Sequence, residues 1–244
     1  RQVELVLFDL DGTLADTAPD LGGAVNRMLV ARGREPLPIA ELRPVASHGA
    51  RGLLGVAFGV TPADSEFEGL RQEFFREYEG ALCVDSILFP AMDEALSGLE
   101  AAGVRWGIVT NKPEYLARDI LPQFGWDTRC AVLIGGDTLA EKKPHPLPLQ
   151  VAAERIGMAI ADCVYVGDDE RDIQAARAAG MPSIAALWGY RQAHEEPALW
   201  LADVMVGVPA ALIDPSAWPS ARWAAAGSMI RSALITGSIS PRRR

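Results

Sequence analysis

Val3-Glu4-Leu5-Val6-Leu7-Phe8-Asp9-Leu10-Asp11-Gly12-Thr13 is a short apolar run that ends abruptly in acids and turn chemistry. A run of this length and polarity reads as a strand buried in a parallel sheet. Gly12 lets the backbone turn sharply behind it. Asp9 and Asp11 stand one residue apart, so on an extended chain both carboxylates project to the same side. Two carboxylates that close repel each other unless a cation or a proton lies between them. A hard divalent cation with oxygen ligands, such as magnesium, meets that need. Taken alone, an Asp-x-Asp pair is equally compatible with a solvated loop.

Four more apolar runs repeat the strand signal: Val104 to Val109, Ala131 to Ile134, Cys163 to Val166 and Ser183 to Leu187. Helical spacing lies between them, over Met92–Ala102, Glu114–Phe124, Leu147–Ile156 and Asp169–Ala179, with glycine past the ends as a stop signal. Strands alternating with helices of this length predict an α/β fold, a doubly wound parallel sheet of Rossmann-like type. Residues 16–89 break the alternation. They hold helical patterns over Asp20–Arg32, Gly49–Phe58 and Ser65–Glu79 and no convincing strand. The expected organisation is a core of residues 1–15 and 90–214, a helical cap of residues 16–89 inserted after the first strand, and a tail of residues 215–244. A hinge is expected near Phe89-Pro90. The tail, ending in Arg242-Arg243-Arg244, is expected to be poorly ordered.

Composition narrows the function. A formal net charge of −9 over 244 residues argues against a nucleic-acid binder, although a local pocket can still be positive. The odd count of 3 cysteines, Cys83, Cys130 and Cys163, has no metal-like spacing and suits small buried thiols in a reducing cytoplasm. No apolar run is long enough to span a bilayer, and the strand-like start does not read as a signal peptide.

Three further segments fall at or after predicted strand ends, where open parallel sheets form their sites. Val109-Thr110-Asn111-Lys112-Pro113 offers a hydroxyl and backbone amides to phosphate oxygens, or else a helix N-cap. Lys142-Lys143-Pro144-His145-Pro146 is a proline-stiffened loop with a lysine able to neutralise carboxylates and phosphate, or else a solvated surface pair. Val166-Gly167-Asp168-Asp169-Glu170-Arg171-Asp172 crowds acids after an apolar strand. If a helix begins there, Asp168 and Asp172 share one face, which suits a cation. The alternative is acid enrichment in a first helical turn.

Each segment has an ordinary explanation, but the four in this order share none. FDLDGTL (8–14), VTNK (109–112), KKPHP (142–146) and GDDERD (167–172) resemble the four motifs of the haloacid dehalogenase superfamily. The helical insert resembles that superfamily's cap. Thr17-Ala18-Pro19-Asp20, WGIVTNKPEYLA (106–117) and GGDTLAEKKPHPLPL (135–149) are most similar to bacterial phosphoglycolate phosphatases, with the N-acetylmuramic acid 6-phosphate phosphatases closely related. The resemblance implies that Asp9 is the nucleophile that becomes aspartyl-phosphate. It implies that Asp11 protonates the leaving oxygen and then activates water. Thr110 and the Asn111 region would hold the phosphoryl group, with Lys143 neutralising charge. Asp168 would bind magnesium together with Asp9 and the carbonyl of Asp11, supported by Asp172 and by Asp169.

An acid at position 11 argues against carbon–halogen cleavage, because the superfamily's dehalogenases typically lack it. The implied activity is magnesium-dependent hydrolysis of a small phosphate ester, with 2-phosphoglycolate foremost. A sugar-phosphate phosphatase, a phosphomutase and a non-catalytic binding protein are the alternatives. In the cap, His48, Gly49 and Arg51 are the expected contacts to the non-phosphate end of the substrate. Ser47-His48-Gly49 departs from the Gly-x-Gly that phosphoglycolate phosphatases often carry there, and Phe89-Pro90-Ala91 departs from a common Pro-Gly.

Overall fold

A computed structural model describes residues 3–214, 218 and 219. The predicted tail therefore lies outside the described residues, apart from Trp218 and Pro219. The elements in chain order are β1 (Leu5–Phe8), β2 (Ala15–Asp16), α1 (Ala18–Val30), α2 (Ile39–Leu42), α3 (Gly49–Phe58), α4 (Phe67–Glu79) and β3 (Ile87–Leu88). They continue with α5 (Met92–Ala101), β4 (Arg105–Val109), α6 (Glu114–Ile120), β5 (Leu133–Ile134), α7 (Leu147–Ile156), β6 (Cys163–Gly167), α8 (Glu170–Ala179), β7 (Ser183–Ala186) and β8 (Val204–Val206).

Six strands form one sheet in the order β5-β4-β1-β6-β7-β8, every pairing parallel. Successive side chains of β1 enter opposite faces. Val6 and Phe8 join Trp106, Ile108, Val164 and Val166 in one cluster with α5 and α6. Leu5 and Leu7 join Cys163, Tyr165, Leu149 and Ala176 in another with α7 and α8. Both faces are covered, which is why these strands are apolar throughout rather than alternating. Each fully buried side chain such as Leu7 or Ile108 contributes about 1.5–3 kcal/mol. Helix α7 ends at Gly157, whose left-handed φ of 75° reverses the chain without the penalty a Cβ would bring.

β1 is central. Phe8 is level with Ile108 on one side and Val166 on the other. The residues that follow β1, β4 and β6 therefore emerge at one carboxyl edge, where the strand order switches direction.

Helices α1 to α4 have a hydrophobic cluster of their own, built on Met28, Leu53, Leu54, Phe74 and Tyr78, and Leu116 and Tyr190 join it from the sheet-bearing part. Sequence reading finds no strand in this insert, yet β2 and β3 pair antiparallel at its entry and exit, Ala15 with Leu88 and Asp16 with Ile87. Two residues per strand are too few to produce a periodic signal. Asp20 closes the exit: its carboxylate accepts from the N–H groups of Asp85 and Ser86 and from the Ser86 hydroxyl, at 3.1, 2.8 and 2.6 Å. The fifth predicted strand ends at Ala186, and the edge strand β8 was not expected at all.

Candidate active site

Asp9 follows β1 directly and continues its ladder, its N–H donating to the Val166 carbonyl at 2.9 Å. Its side-chain Oδ1 accepts from the Leu10 N–H at 2.8 Å and from Lys143 Nζ at 3.0 Å. Lys143 is 3 % exposed. Its ammonium also donates to Asp172 Oδ1 and to the Tyr165 hydroxyl, each at 2.7 Å, and that hydroxyl donates onward to the Val109 carbonyl at 2.8 Å. All three N–H groups of one buried lysine thus have partners, two of them carboxylates.

Asp168 is fully buried beyond β6. It accepts from the Thr13 hydroxyl at 2.7 Å, the Ser47 hydroxyl at 3.1 Å and the Tyr190 N–H at 2.9 Å. Gly12 permits this packing. Its φ is +85°, and a Cβ there would lie 2.3 Å from Asp168 Oδ2. Helix α8 begins only at Glu170, so Asp168 precedes it and does not share a helical face with Asp172 as the spacing suggested. Asp169 instead caps the helix, its side chain accepting from the Arg171 N–H while the Asp172 carboxylate accepts from the Asp169 N–H. Asp172 thus both closes a helix end and binds Lys143.

Carboxylate oxygens of Asp9, Asp168 and Asp172 lie within 4.8 Å of one another, all three buried. Burial, against Lys143, and with Asp172 and Asp11 nearby, pushes the Asp9 carboxyl up to about 7. Burial, then Asp9 and Asp172, drives the Asp168 carboxyl well above the usual carboxylate range. Burial pulls the Lys143 ammonium down, but Asp172 and Asp9 outweigh it and the net direction is up. Were all three acids ionised, one ammonium would leave negative charge uncompensated, so they must hold protons or a cation. The donor set, all hard oxygens, fits a divalent cation of the magnesium class.

Asp11 faces another lysine. Its Oδ1 accepts from Lys112 Nζ at 2.8 Å and from the Thr17 hydroxyl at 2.5 Å. Thr110 is buried one residue past β4, its hydroxyl oxygen accepting the Lys112 N–H at 3.1 Å. The N-cap of α6 is Pro113, so Thr110 does not hold the capping position open to it on sequence grounds. Between this edge and the insert lies a cleft of about 580 Å³, lined by Asp9, Asp11, Thr110, Lys112, Lys143 and Asp172 below and by His48, Arg51, Arg71, Phe74 and Tyr78 above.

The haloacid dehalogenase-like hydrolase profile matches residues 6–186. The chain belongs to that family. A phosphoglycolate phosphatase of Xanthomonas campestris pv. campestris (strain 8004) is 61 % identical to this hydrolase over 214 residues, 88 % of this chain and 96 % of that protein. An N-acetylmuramic acid 6-phosphate phosphatase of Pseudomonas aeruginosa is 40 % identical over 213 residues, covering 87 % and 94 %. Among solved structures, a predicted phosphoglycolate phosphatase from Haemophilus somnus 129pt superposes with a TM-score of 0.75 at 29 % identity, covering 88 % of this chain and 99 % of that one.

Within the hydrolase, the residues singled out by sequence divide into two groups. Asp9, Asp11, Thr110, Lys143 and Asp172 meet on the cleft, with Asp168 buried beside them. The Asn111 side chain is engaged elsewhere: its amide donates to the Lys143 carbonyl at 2.8 Å and accepts the Lys143 N–H at 3.0 Å. That bracing holds the lysine loop, and any ligand contact from this residue falls to its backbone. His48 Nε2 lies 3.3 Å from Asp169 Oδ2, Gly49 opens α3, and Arg51 is exposed on the cleft wall. Sequence reading gives no role to Lys112, Thr13, Thr17, Ser47, Tyr78, Tyr165 or Tyr190. Lys112 stood inside the quoted VTNK run, two residues from Thr110, and that adjacency was a usable signal. The tyrosines carried none.

Proposed function

We propose that this hydrolase is a magnesium-dependent phosphatase that passes a phosphoryl group from a small ester to Asp9 and then to water, with 2-phosphoglycolate as its substrate. The observation that carries the reading is that Asp9 and Asp11, two residues apart, are each held by a separate buried lysine, Lys143 and Lys112. A nucleophile must reach phosphorus and an acid–base group the adjacent ester oxygen, each in its own environment, and this arrangement supplies them.

In the proposed mechanism, Lys143 and the Leu10 N–H hold Asp9 Oδ1, leaving Oδ2 to attack phosphorus in line with the ester oxygen. The Thr110 hydroxyl and nearby backbone amides bind the transferring oxygens, and Lys143 offsets their charge. Asp11 delivers a proton to the leaving oxygen as the ester bond breaks. With Oδ1 held by Lys112 and Thr17, Oδ2 is the oxygen that carries this proton. Asp11 then takes a proton from the water that attacks the aspartyl-phosphate, releasing phosphate and restoring Asp9. Asp9, Asp168 and the Asp11 carbonyl, braced by Asp172, would hold magnesium, which would supply positive charge against the repulsion between carboxylate and phosphate. Asp169 orients α8 and anchors His48. His48, Gly49 and Arg51 meet the non-phosphate end of the substrate.

The same proposal divides the chain into a core of residues 1–15 and 90–214 and a cap of residues 16–89, supported by the separate hydrophobic clusters. It takes the partner to be a small phosphate ester, not a nucleic acid or a membrane; no helix among the described residues is long and apolar enough to cross one. Three unpaired cysteines support a reducing, cytoplasmic setting.

A second reading, hydrolysis of N-acetylmuramate 6-phosphate, has two supports: the 40 % identical relative of that name and a cleft of about 580 Å³, roomy for a two-carbon acid. A panel of phosphate esters assayed with magnesium and with chelator separates them. The first reading expects the highest kcat/KM with 2-phosphoglycolate, loss of turnover with chelator, and steady phosphate release without a bisphosphate primer. A higher kcat/KM for the sugar phosphate selects the second reading, and dependence on a primer points to a mutase.

A further inference from the structure

Tyr78, on α4 of the insert, is the place where the cleft is unfinished. Its ring is fully buried and stacks on Phe74 with centroids 6.0 Å apart. Its hydroxyl is buried without a hydrogen-bond partner among the described residues. A buried hydroxyl left unpaired is destabilising, and such groups normally have a partner or a purpose. Burial pushes this hydroxyl up to about 12, so at neutral pH it keeps its proton and is a donor.

Lys112 lies against it. The ammonium sits 4.5 Å from the Tyr78 ring centroid, and the lysine side chain is 4 % exposed. Burial lowers its affinity for a proton, but Asp11 and Tyr78 more than offset this, so it remains charged. An ammonium has three N–H groups. Lys143 fills all three of its own. Lys112 donates one to Asp11, and another side of its ammonium faces the Tyr78 ring. Both Lys112 and Tyr78 line the cleft, where Lys112 holds Asp11 while Lys143 holds Asp9.

We infer that Lys112 and the Tyr78 hydroxyl together form the recognition site for a carboxylate on the leaving group, so that the preferred substrates are phosphate esters of short 2-hydroxy acids. The inference rests on the phosphatase reading above and deepens it. Asp11 serves the ester oxygen, and Lys112 is 2.8 Å from Asp11. A carboxylate one carbon from the ester oxygen has its own oxygens about 3 Å from it, so one group can meet the Lys112 ammonium while Asp11 meets the ester. A sugar 6-phosphate has no carboxylate one carbon from its ester oxygen, and the lactyl carboxylate of N-acetylmuramate lies many bonds further away, so neither would meet both donors while Asp11 meets the ester. One partner is in the sheet-bearing part and the other in the insert, so the carboxylate is gripped from both sides of the cleft.

The test compares 2-phosphoglycolate with 2-hydroxyethyl phosphate, in which a neutral hydroxymethyl group replaces the carboxylate, using the full chain with magnesium. Wild type is expected to prefer the acid about 100-fold in kcat/KM, as a site built to pair a polar group does. Tyr78→Phe, which keeps the ring stacked on Phe74, is expected to reduce that preference about tenfold, and Lys112→Met to abolish it. Equal losses on both esters overturn the inference, because the two residues then act through Asp11 or through packing. Equal turnover of both esters by wild type overturns it too and leaves the phosphatase reading standing. Turnover of neither overturns that reading, and this inference with it.

Discussion

Lys143 is the residue on which the electrostatics of the site turn. Its ammonium binds Asp9 and Asp172 directly while Asp168 adds to the field, all of them buried. Removing one partner of a buried ion pair leaves the other uncompensated, which is costlier than losing the pair whole. Lys143→Met is therefore expected to lower the stability of the metal-free protein at neutral pH by about 3 kcal/mol, read from the urea midpoint. A loss below about 1 kcal/mol would mean that the acids already carry protons and need no ammonium. Lys112 holds the same kind of position over Asp11 but with capacity to spare. That difference between two buried lysines assigns one to the phosphoryl group and the other to what leaves with the ester oxygen.

At the scale of elements, the site is the junction of β1, β4 and β6, whose ends deliver Asp9, Thr110 and Asp168 to one edge. This crowding has a pH signature. The Asp9 carboxyl is raised from 3.8 to about 7 by burial, chiefly, and by its acid neighbours. A raised folded-state value contributes stability that is complete below pH 3.8 and is lost as pH rises through about 7. The proposed magnesium would take the place of the proton, so its stabilising effect is expected to grow across that window. Melting temperatures with magnesium and with chelator, from about pH 5 to pH 8, test this. A magnesium shift that does not change with pH would contradict it. The strands that build the junction were legible in the sequence because each is a continuous apolar run followed by a polar turn. β8 was not, because it is an edge strand with Met205 exposed and carries neither an apolar run nor clean alternation. The acids and Lys143 were legible from spacing and from family motifs. Thr13, Ser47 and the tyrosines were not, because they reach the site only through tertiary contacts such as Tyr190, 22 residues from Asp168 in sequence.

For the whole molecule, the insert and the sheet are joined through the site itself. Tyr190 donates its N–H to Asp168, while its hydroxyl accepts from the N–H groups of Thr17 and Ala18 at 2.7 and 2.9 Å and donates to Asp16 at 2.8 Å. Arg43 of the insert binds that same Asp16. Thr17 reaches Asp11, and Ser47 reaches Asp168. The insert is thus bonded to the proposed acid–base residue and to a proposed metal ligand, so the position of the insert bears on both. All of this serves one claim, that the Asp9 carboxylate accepts the phosphoryl group. Rapid acid quench of the enzyme during turnover of ³²P-labelled 2-phosphoglycolate, followed by borohydride reduction and peptide mapping, tests it most directly. The account predicts transient label on the protein and homoserine at position 9. Turnover with no label on the protein, or label mapped to another residue, would contradict it.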